Sequence, residues 1–182
     1  MGRKPSPSAY AFWGHHYSRI ITGGRLRLPV AVTHQLDEAG VKKLWLAALP
    51  DEKALVMIPP AYWPTWLAAA RERWPILRTP QGKRLQIGPS VCAEWDATGR
   101  ISLPEALRHH AGLNDGTLAI IIGLGRGLEV WAIDPFKEMR NRCGGQPQPA
   151  PPSSPRPVGG SQAGAPGRQY LPRSASENPG AP

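Results

Sequence analysis

The chain has 182 residues, with 22 Lys and Arg against 13 Asp and Glu and a formal charge of +9. That bounds it to one modest domain or two very small ones, with a basic surplus that favours an acidic partner. No apolar run approaches the roughly 18 residues of a membrane-spanning helix, and Pro5, Ser6, Pro7 and Ser8 stand where a secretory signal would be apolar, so neither an integral membrane protein nor a secreted one is expected. Residues 1–10 are expected to be a flexible N-terminus, and residues 144–182, with 10 prolines and 7 glycines among 39 positions, a disordered Pro/Gly-rich tail that cannot pack a core.

Between these ends the chain repeats itself. Gly24-Arg25-Leu26-Arg27-Leu28-Pro29 returns 75 residues later as Gly99-Arg100-Ile101-Ser102-Leu103-Pro104. Each copy continues into a short helical stretch, marked in the second by Pro104, by Leu107 and Ala111 on one face, and by Gly112 as a left-handed C-terminal stop. Two short apolar runs follow in each: Leu44 to Ala48 and Ala54 to Ile58 in the first, Leu118 to Ile122 and Leu128 to Ile133 in the second. Such runs around turn-forming residues predict hairpins. The layout is therefore strand, turn, strand, short helix, hairpin, written twice, as module 1 over residues 11–60 and module 2 over residues 87–134.

Residues 61–86 are predicted to be an amphipathic helix and connector, because Trp63, Trp66, Leu67, Ala70 and Trp74 fall on one helical face between Pro64 and Pro75. Residues 135–143, with Phe136, Met139 and Cys143, are the counterpart C-terminal helix. The Trp stripe is read as packing. A module of about 50 residues buries too little to stand alone, and a two-stranded ribbon is marginal. The two copies are thus expected to share one pseudo-twofold β-core in an α+β fold.

Asp96-Ala97-Thr98-Gly99-Arg100-Ile101-Ser102-Leu103-Pro104, continued by Leu107-Arg108-His109-His110-Ala111-Gly112-Leu113, resembles the second half of the MraZ family. Phe12-Trp13-Gly14 with Gly24-Arg25-Leu26 and Leu28-Pro29 resembles the first half, Ala54 to Pro59 with Tyr62-Trp63 the family's strand and tryptophan-bearing helix, and Leu128 to Trp131 its final strand. The resemblance covers roughly Ala11 to Met139. It implies tandem SpoVT-AbrB swapped-hairpin modules forming a β-barrel, and a homo-oligomer, in the form of a ring. It also implies a cytoplasmic, nucleoid-associated transcriptional regulator that binds double-stranded DNA at promoter repeats of a division and cell wall gene cluster, with no catalysis. The family's D-x-x-G-R pattern is intact at Asp96 to Arg100, whereas Ile21 occupies the Asp position of the first copy. The turn around Arg25 is therefore expected to be the less firmly held.

The residue chemistry points the same way. A glycine-supported turn lets a hairpin tip approach a duplex closely, and an arginine just after it presents a planar fork to a phosphate or to guanine O6 and N7. The expected DNA-binding residues are Arg25 and Arg100, with Arg27 on the same strand face as Arg25, Arg19 on the incoming strand and Arg108 on the short helix of module 2. Gly24, Gly99 and Asp96 are expected to support the turns.

Competing chemistry finds less support. Gly123-Leu124-Gly125-Arg126-Gly127 leads into a strand rather than a helix N-terminus, so it reads as a hairpin turn and not a phosphate cradle. Cys92 and Cys143 are isolated, which fits a reducing compartment and offers neither disulfide framework nor zinc site. His15-His16 and His109-His110 lack a completing ligand shell, and no motif activates a serine. No enzyme activity, cofactor, metal or small-molecule substrate is expected. The rival reading is an AbrB-like antitoxin or other protein-interaction module acting through its tail. Residues 144–182 carry few apolar anchors (Val158, Tyr170, Leu171) and three Arg to one Glu, which favours the DNA-binding reading.

Overall fold

A computed structural model of the chain describes residues 11–144. The expected flexible N-terminus and nearly all of the expected tail lie outside the described residues. In chain order, module 1 comprises β1 (His15–Ile21), β2 (Arg25–Arg27), α1 (Val30–Glu38), β3 (Lys43–Ala48) and β4 (Ala54–Ile58). α2 (Trp63–Arg73) then leads through a 3-10 turn (Pro75–Arg78), the short α3 (Pro80–Gly82) and a π turn (Lys83–Ile87) into module 2. Module 2 repeats the order with β5 (Val91–Glu94), β6 (Arg100–Ser102), α4 (Glu105–Ala111), β7 (Leu118–Gly123) and β8 (Leu128–Ala132), and α5 (Ile133–Arg142) follows.

The strands form one antiparallel sheet in the order β5-β3-β4-β8-β7-β1-β2-β6. Its two edges meet: Trp95 bridges Ile101, and the Asp96 N–H donates to the Arg100 carbonyl at 2.8 Å, so the sheet nearly closes into a barrel. Closure removes open edges that would otherwise invite pairing with another chain. The first hairpin of each module lies beside the other module's strands, β1 against β7 and β5 against β3. This is the exchange that a swapped hairpin requires.

Register makes the pseudo-twofold explicit. β2 pairs with β6 as Arg25↔Ser102, Leu26↔Ile101 and Arg27↔Arg100. β4 pairs with β8 as Ala54↔Trp131, Leu55↔Val130, Val56↔Glu129 and Met57↔Leu128. Each ladder is centred on equivalent residues of the two copies, so an approximate axis runs through both. Leu26 and Ile101 meet on it with no exposure, and burying each is worth about 1.5–3 kcal/mol. Outward from the axis the core is filled by the apolar runs of β3, β4, β7 and β8, including Leu44, Leu46, Leu55, Met57, Ile120 and Val130.

The helices seal the barrel through few residues. α1 follows Pro29 and buries Val32 and Leu36, four apart; α4 follows Pro104 and buries Leu107 and Ala111 at the same spacing, ending at Gly112 with φ 65. α2 buries only Ala70 fully. Its Trp63 and Trp66 stack in series on Trp45 of β3, with ring centroids 4.8 and 5.1 Å apart, and remain half-buried. The stripe therefore packs on the sheet along one edge and leaves the other to solvent. Gly123 sits where a Cβ would come within 2.6 Å of the Phe12 backbone, and the Gly123 to Gly127 turn receives the Phe12 segment through two 2.8 Å backbone bonds with Gly125. The turn is thus filled by the chain itself.

Candidate nucleic-acid interface

β1, β2 and β6 form a three-stranded ribbon with alternating faces. Ile20, Leu26 and Ile101 point into the barrel and are buried. Their neighbours Arg19, Arg25, Arg27 and Arg100 point out, with Ser102 and Ile21. Continuing the pairing Ile20↔Leu26 by one step puts Arg19 beside Arg27, and Arg27 is opposite Arg100. Three arginines thus line up across three strands, at about 5 Å per strand. Like charges directly opposite one another destabilise a sheet, so the row stores repulsion that an anion would relieve.

Pseudosymmetry produces a second row. The first reads Asp96, Arg100, Arg27, Arg19; its image reads Ile21, Arg25, Ser102, Glu94. The basic character is therefore concentrated on one side of the axis. Among the described residues, the guanidinium groups of Arg25 and Arg27 have no hydrogen-bond or ion-pair partner, and Arg19 donates from Nη1 to the Gly116 carbonyl at 3.1 Å.

The two turns that bear Arg100 and Arg25 are held differently. In the module 2 turn, Asp96 Oδ1 accepts from the Thr98 N–H (2.9 Å), the Thr98 hydroxyl (2.6 Å) and the Arg100 N–H (3.0 Å), while Oδ2 accepts from Arg100 Nε (2.8 Å). Gly99, at φ 76, donates its N–H to the Asp96 carbonyl at 2.8 Å. The bond from the Thr98 hydroxyl above all, then those from Arg100 and the Thr98 N–H, hold the Asp96 carboxyl well below the usual carboxylate range, against a smaller opposing effect of desolvation. One carboxylate thus sets the backbone and grips Nε, which leaves the outer fork of Arg100 for a ligand.

Ile21 can do none of this, yet the module 1 turn is not unsupported. Asp115, from the turn ahead of β7, reaches across from module 2 and accepts the Gly23 N–H through Oδ2 (3.0 Å) and the Gly24 N–H through Oδ1 (2.9 Å). Its own turn, Asn114 to Thr117, is closed by the Thr117 N–H on the Asn114 carbonyl at 2.9 Å. That turn is tied to β1 by bonds between Gly116 and Ile20 (2.7 Å) and between Ile20 and Thr117 (2.9 Å). The expectation that losing the Asp at position 21 leaves Arg25 on the less firmly held turn thus meets a replacement that sequence reasoning missed. Asp115 lies 94 residues from Ile21, in a loop that is shorter in the other copy, and in the sequence Asn114-Asp115-Gly116 signals only a turn.

Arg108 lies on α4, the short helix of module 2, and makes contacts the sequence did not indicate. Its Nε donates to the Leu103 carbonyl at 3.2 Å and its Nη1 lies 3.6 Å from Asp115 Oδ1, with the side chain only 22% exposed. The guanidinium is turned inward over Gly24, where a Cβ would fall 2.2 Å from Nε. With φ 68 as well, Gly24 is required both by its conformation and by this close approach. The paired histidines are drawn apart by their elements: His110 Nε2 lies 2.9 Å from the carbonyls of both Leu49 and Glu52, joining α4 to the β3–β4 turn, while His109 is exposed. Among the described residues, no group of three or more His, Cys, Asp or Glu is placed to hold a metal ion, and no helix is long and apolar enough to cross a membrane.

Comparison with known proteins agrees with the fold. The family model described as "MraZ protein, putative antitoxin-like" matches residues 88–143, which is module 2 with α5. The Transcriptional regulator MraZ of Marinobacter nauticus is 34% identical over 125 residues, covering 66% of this chain and 81% of that protein. The protein of the same name from a Marinomonas species is 30% identical over 132 residues, covering 71% and 85%, and that of Saccharophagus degradans is 27% identical over 123 residues, covering 66% and 82%. At 34% and 30% identity over more than four-fifths of the first two relatives, one conclusion remains: the chain belongs to the MraZ family.

Proposed function

We propose that the protein is a transcriptional regulator that binds double-stranded DNA sequence-specifically through the outer face of the β1–β2–β6 ribbon. The observation that carries this reading is the line Arg19, Arg27 and Arg100 with Arg25 beside it, four arginines on one face whose only ion pair among the described residues is that between Arg100 and Asp96. Arg100, preorganised by Asp96, reads base edges; Arg25, Arg19 and Arg27 position the ribbon on phosphates. Arg108 supports the Arg25 turn from behind. The relatives are named transcriptional regulators, which supports the regulatory part of this reading; the proposal extends to a cytoplasmic, nucleoid-associated protein acting on the promoter of a division and cell wall gene cluster.

The test is a titration of the protein against duplexes from its own upstream region and scrambled controls across a salt series. Three arginines on phosphates give a slope of roughly −3 in log K against log salt. Affinity that ignores salt, or that does not distinguish the duplexes, sinks the proposal.

Self-association belongs to the same reading. α2 leaves Trp63, Trp66 and Leu67 half-buried, and an apolar groove of about 220 Å³ opens between α2 and the β7–β8 hairpin, lined by Ile58, Tyr62, Trp66 and Leu128. Contiguous apolar surface of this kind marks an interface, and a ring of identical subunits closes it. Light scattering that finds a monomer at micromolar concentration removes this part of the proposal.

A further inference from the structure

We propose that Asp115 is the positioning residue for Arg25: a carboxylate lent by module 2 that does for the module 1 turn what Asp96 does within its own. The inference rests on the reading of Arg25 as a DNA-contacting residue, but the clamp itself is defined by geometry alone. Both Asp115 oxygens are used on consecutive N–H groups, Gly23 and Gly24. Two backbone donors converging on one carboxylate fix the direction in which the next residue leaves the turn, and charge-assisted bonds of this kind are about twice as strong as neutral ones.

Three further contacts make the clamp a built one. Arg108 pairs with the same carboxylate and is itself anchored on the Leu103 carbonyl. Arg19 and Ile20 tie the neighbouring Gly116 to β1. Gly24 lies directly beneath the Arg108 guanidinium. Thr33 and Asp96 stand in the other copy in place of Arg108 and Ile21, and the loop that carries Asp115 is shorter there, since Gly40, the counterpart of the helix stop Gly112, is followed by only Val41 and Lys42 before β3. The residues that hold one turn are therefore absent around the other, and the reverse holds too. Two solutions to one mechanical requirement are distributed over the two copies without overlap.

The consequence differs for the two arginines. Asp96 grips Arg100 at Nε as well as the backbone, whereas Asp115 holds only the backbone of its turn, and among the described residues the Arg25 guanidinium has no hydrogen-bond or ion-pair partner. Arg25 is thus delivered to a fixed place with an unfixed fork. Because the carboxylate comes from the loop ahead of β7, displacement of that loop releases the Arg25 turn while the Arg100 turn stays in place.

The decisive measurement is amide hydrogen exchange on the full chain in wild type, Asp115→Ala and Asp115→Asn, each also combined with Ile21→Asp. Loss of the clamp accelerates exchange at Gly23 and Gly24 by roughly tenfold or more, while the Thr98 amide, held by Asp96, is unchanged. An Asp at position 21 restores Gly23, whose counterpart Thr98 is bonded by Asp96, but not Gly24, whose counterpart Gly99 uses a backbone carbonyl instead. That selective rescue is not something a general loosening of the fold can imitate. Unchanged exchange at Gly23 and Gly24 in both single variants overturns the proposal, as does equal acceleration at Thr98.

A second arm measures DNA affinity of the same variants, with Asp115→Ala expected to lose about 3- to 10-fold through the cost of ordering a loosened turn and the double variant to regain most of it. Wild-type protein that retains no duplex defeats the DNA reading, and the exchange data still decide the clamp.

Discussion

Two turns of nearly the same sequence, one around Arg25 and one around Arg100, reach a similar backbone shape by different means. The Arg100 turn is self-sufficient: Asp96 lies four residues before its arginine and holds both the chain and the side chain. The Arg25 turn is held by a residue 90 positions away, and among the described residues its guanidinium has no partner. The outer rows differ as well, with three arginines in one and a single arginine facing Ser102 and Glu94 in the other. A duplicated module thus need not work as two equal halves. In the proposed complex the Arg100 side supplies charge and a preorganised fork, and the Arg25 side a contact that adapts.

Breaking the charged row should have the largest effect. Replacing Arg19, Arg27 and Arg100 together by Ala is expected to flatten the salt slope by about 2, whereas Arg25→Ala should flatten it by about 1. Equal changes would show that charge is not lopsided in the complex. Next in size is the contrast in selectivity. Arg100→Ala should cost about 1–3 kcal/mol on the correct site with little effect on random duplex, and Arg25→Ala should weaken both more evenly; titrations on operator and scrambled duplex at one salt concentration decide this.

A smaller effect concerns pH. The folded state holds the Asp96 carboxyl below its ordinary value of 3.8, so its contribution to stability is complete at neutral pH. That contribution fades only as the pH falls below the ordinary value toward the folded one. Protection of the Thr98 amide should therefore persist at pH 4 and fail in stronger acid, while Asp96→Asn should lose it at pH 7. Loss of protection in the range where ordinary carboxylates titrate would mean that the Asp96 turn is no tighter than an exposed one.

The smallest expected effect lies on the far side of the barrel and serves as a control. Burial pushes the Glu129 carboxyl up, with the Trp131 N–H bond at 2.9 Å opposing and the nearby Glu52 charge adding. The ionised form then burdens the folded state at neutral pH, and the burden is relieved as the pH falls through the raised value. Glu129→Gln should raise Tm at pH 7 by about a degree or two, with a gap to wild type that narrows at lower pH and with DNA affinity unchanged. A change in DNA binding would place part of the interface away from the ribbon.

The repeat, the strand runs, the Pro-started helices and the Gly112 stop were legible because they are local: backbone preference and side-chain alternation are written within a few residues. The 75-residue offset also identified Arg25 and Arg100 as equivalents, and the family motifs carried the hairpin exchange. Charge placement was not legible. That Arg27 stands between Arg19 and Arg100 follows from the β1–β2–β6 register, and the β2–β6 ladder joins residues about 75 apart through bonds that any side chains would permit. The roles of Arg108 and Asp115 were hidden for the same reason. A carboxylate that accepts backbone N–H groups asks nothing of the identity of its partners except that they be close, so no residue near Gly23 or Gly24 announces it. Ile21 marked a loss, and where the compensation came from was settled by the exchanged pairing of β1 with β7, which brings the loop ahead of β7 to the opposite module's turn.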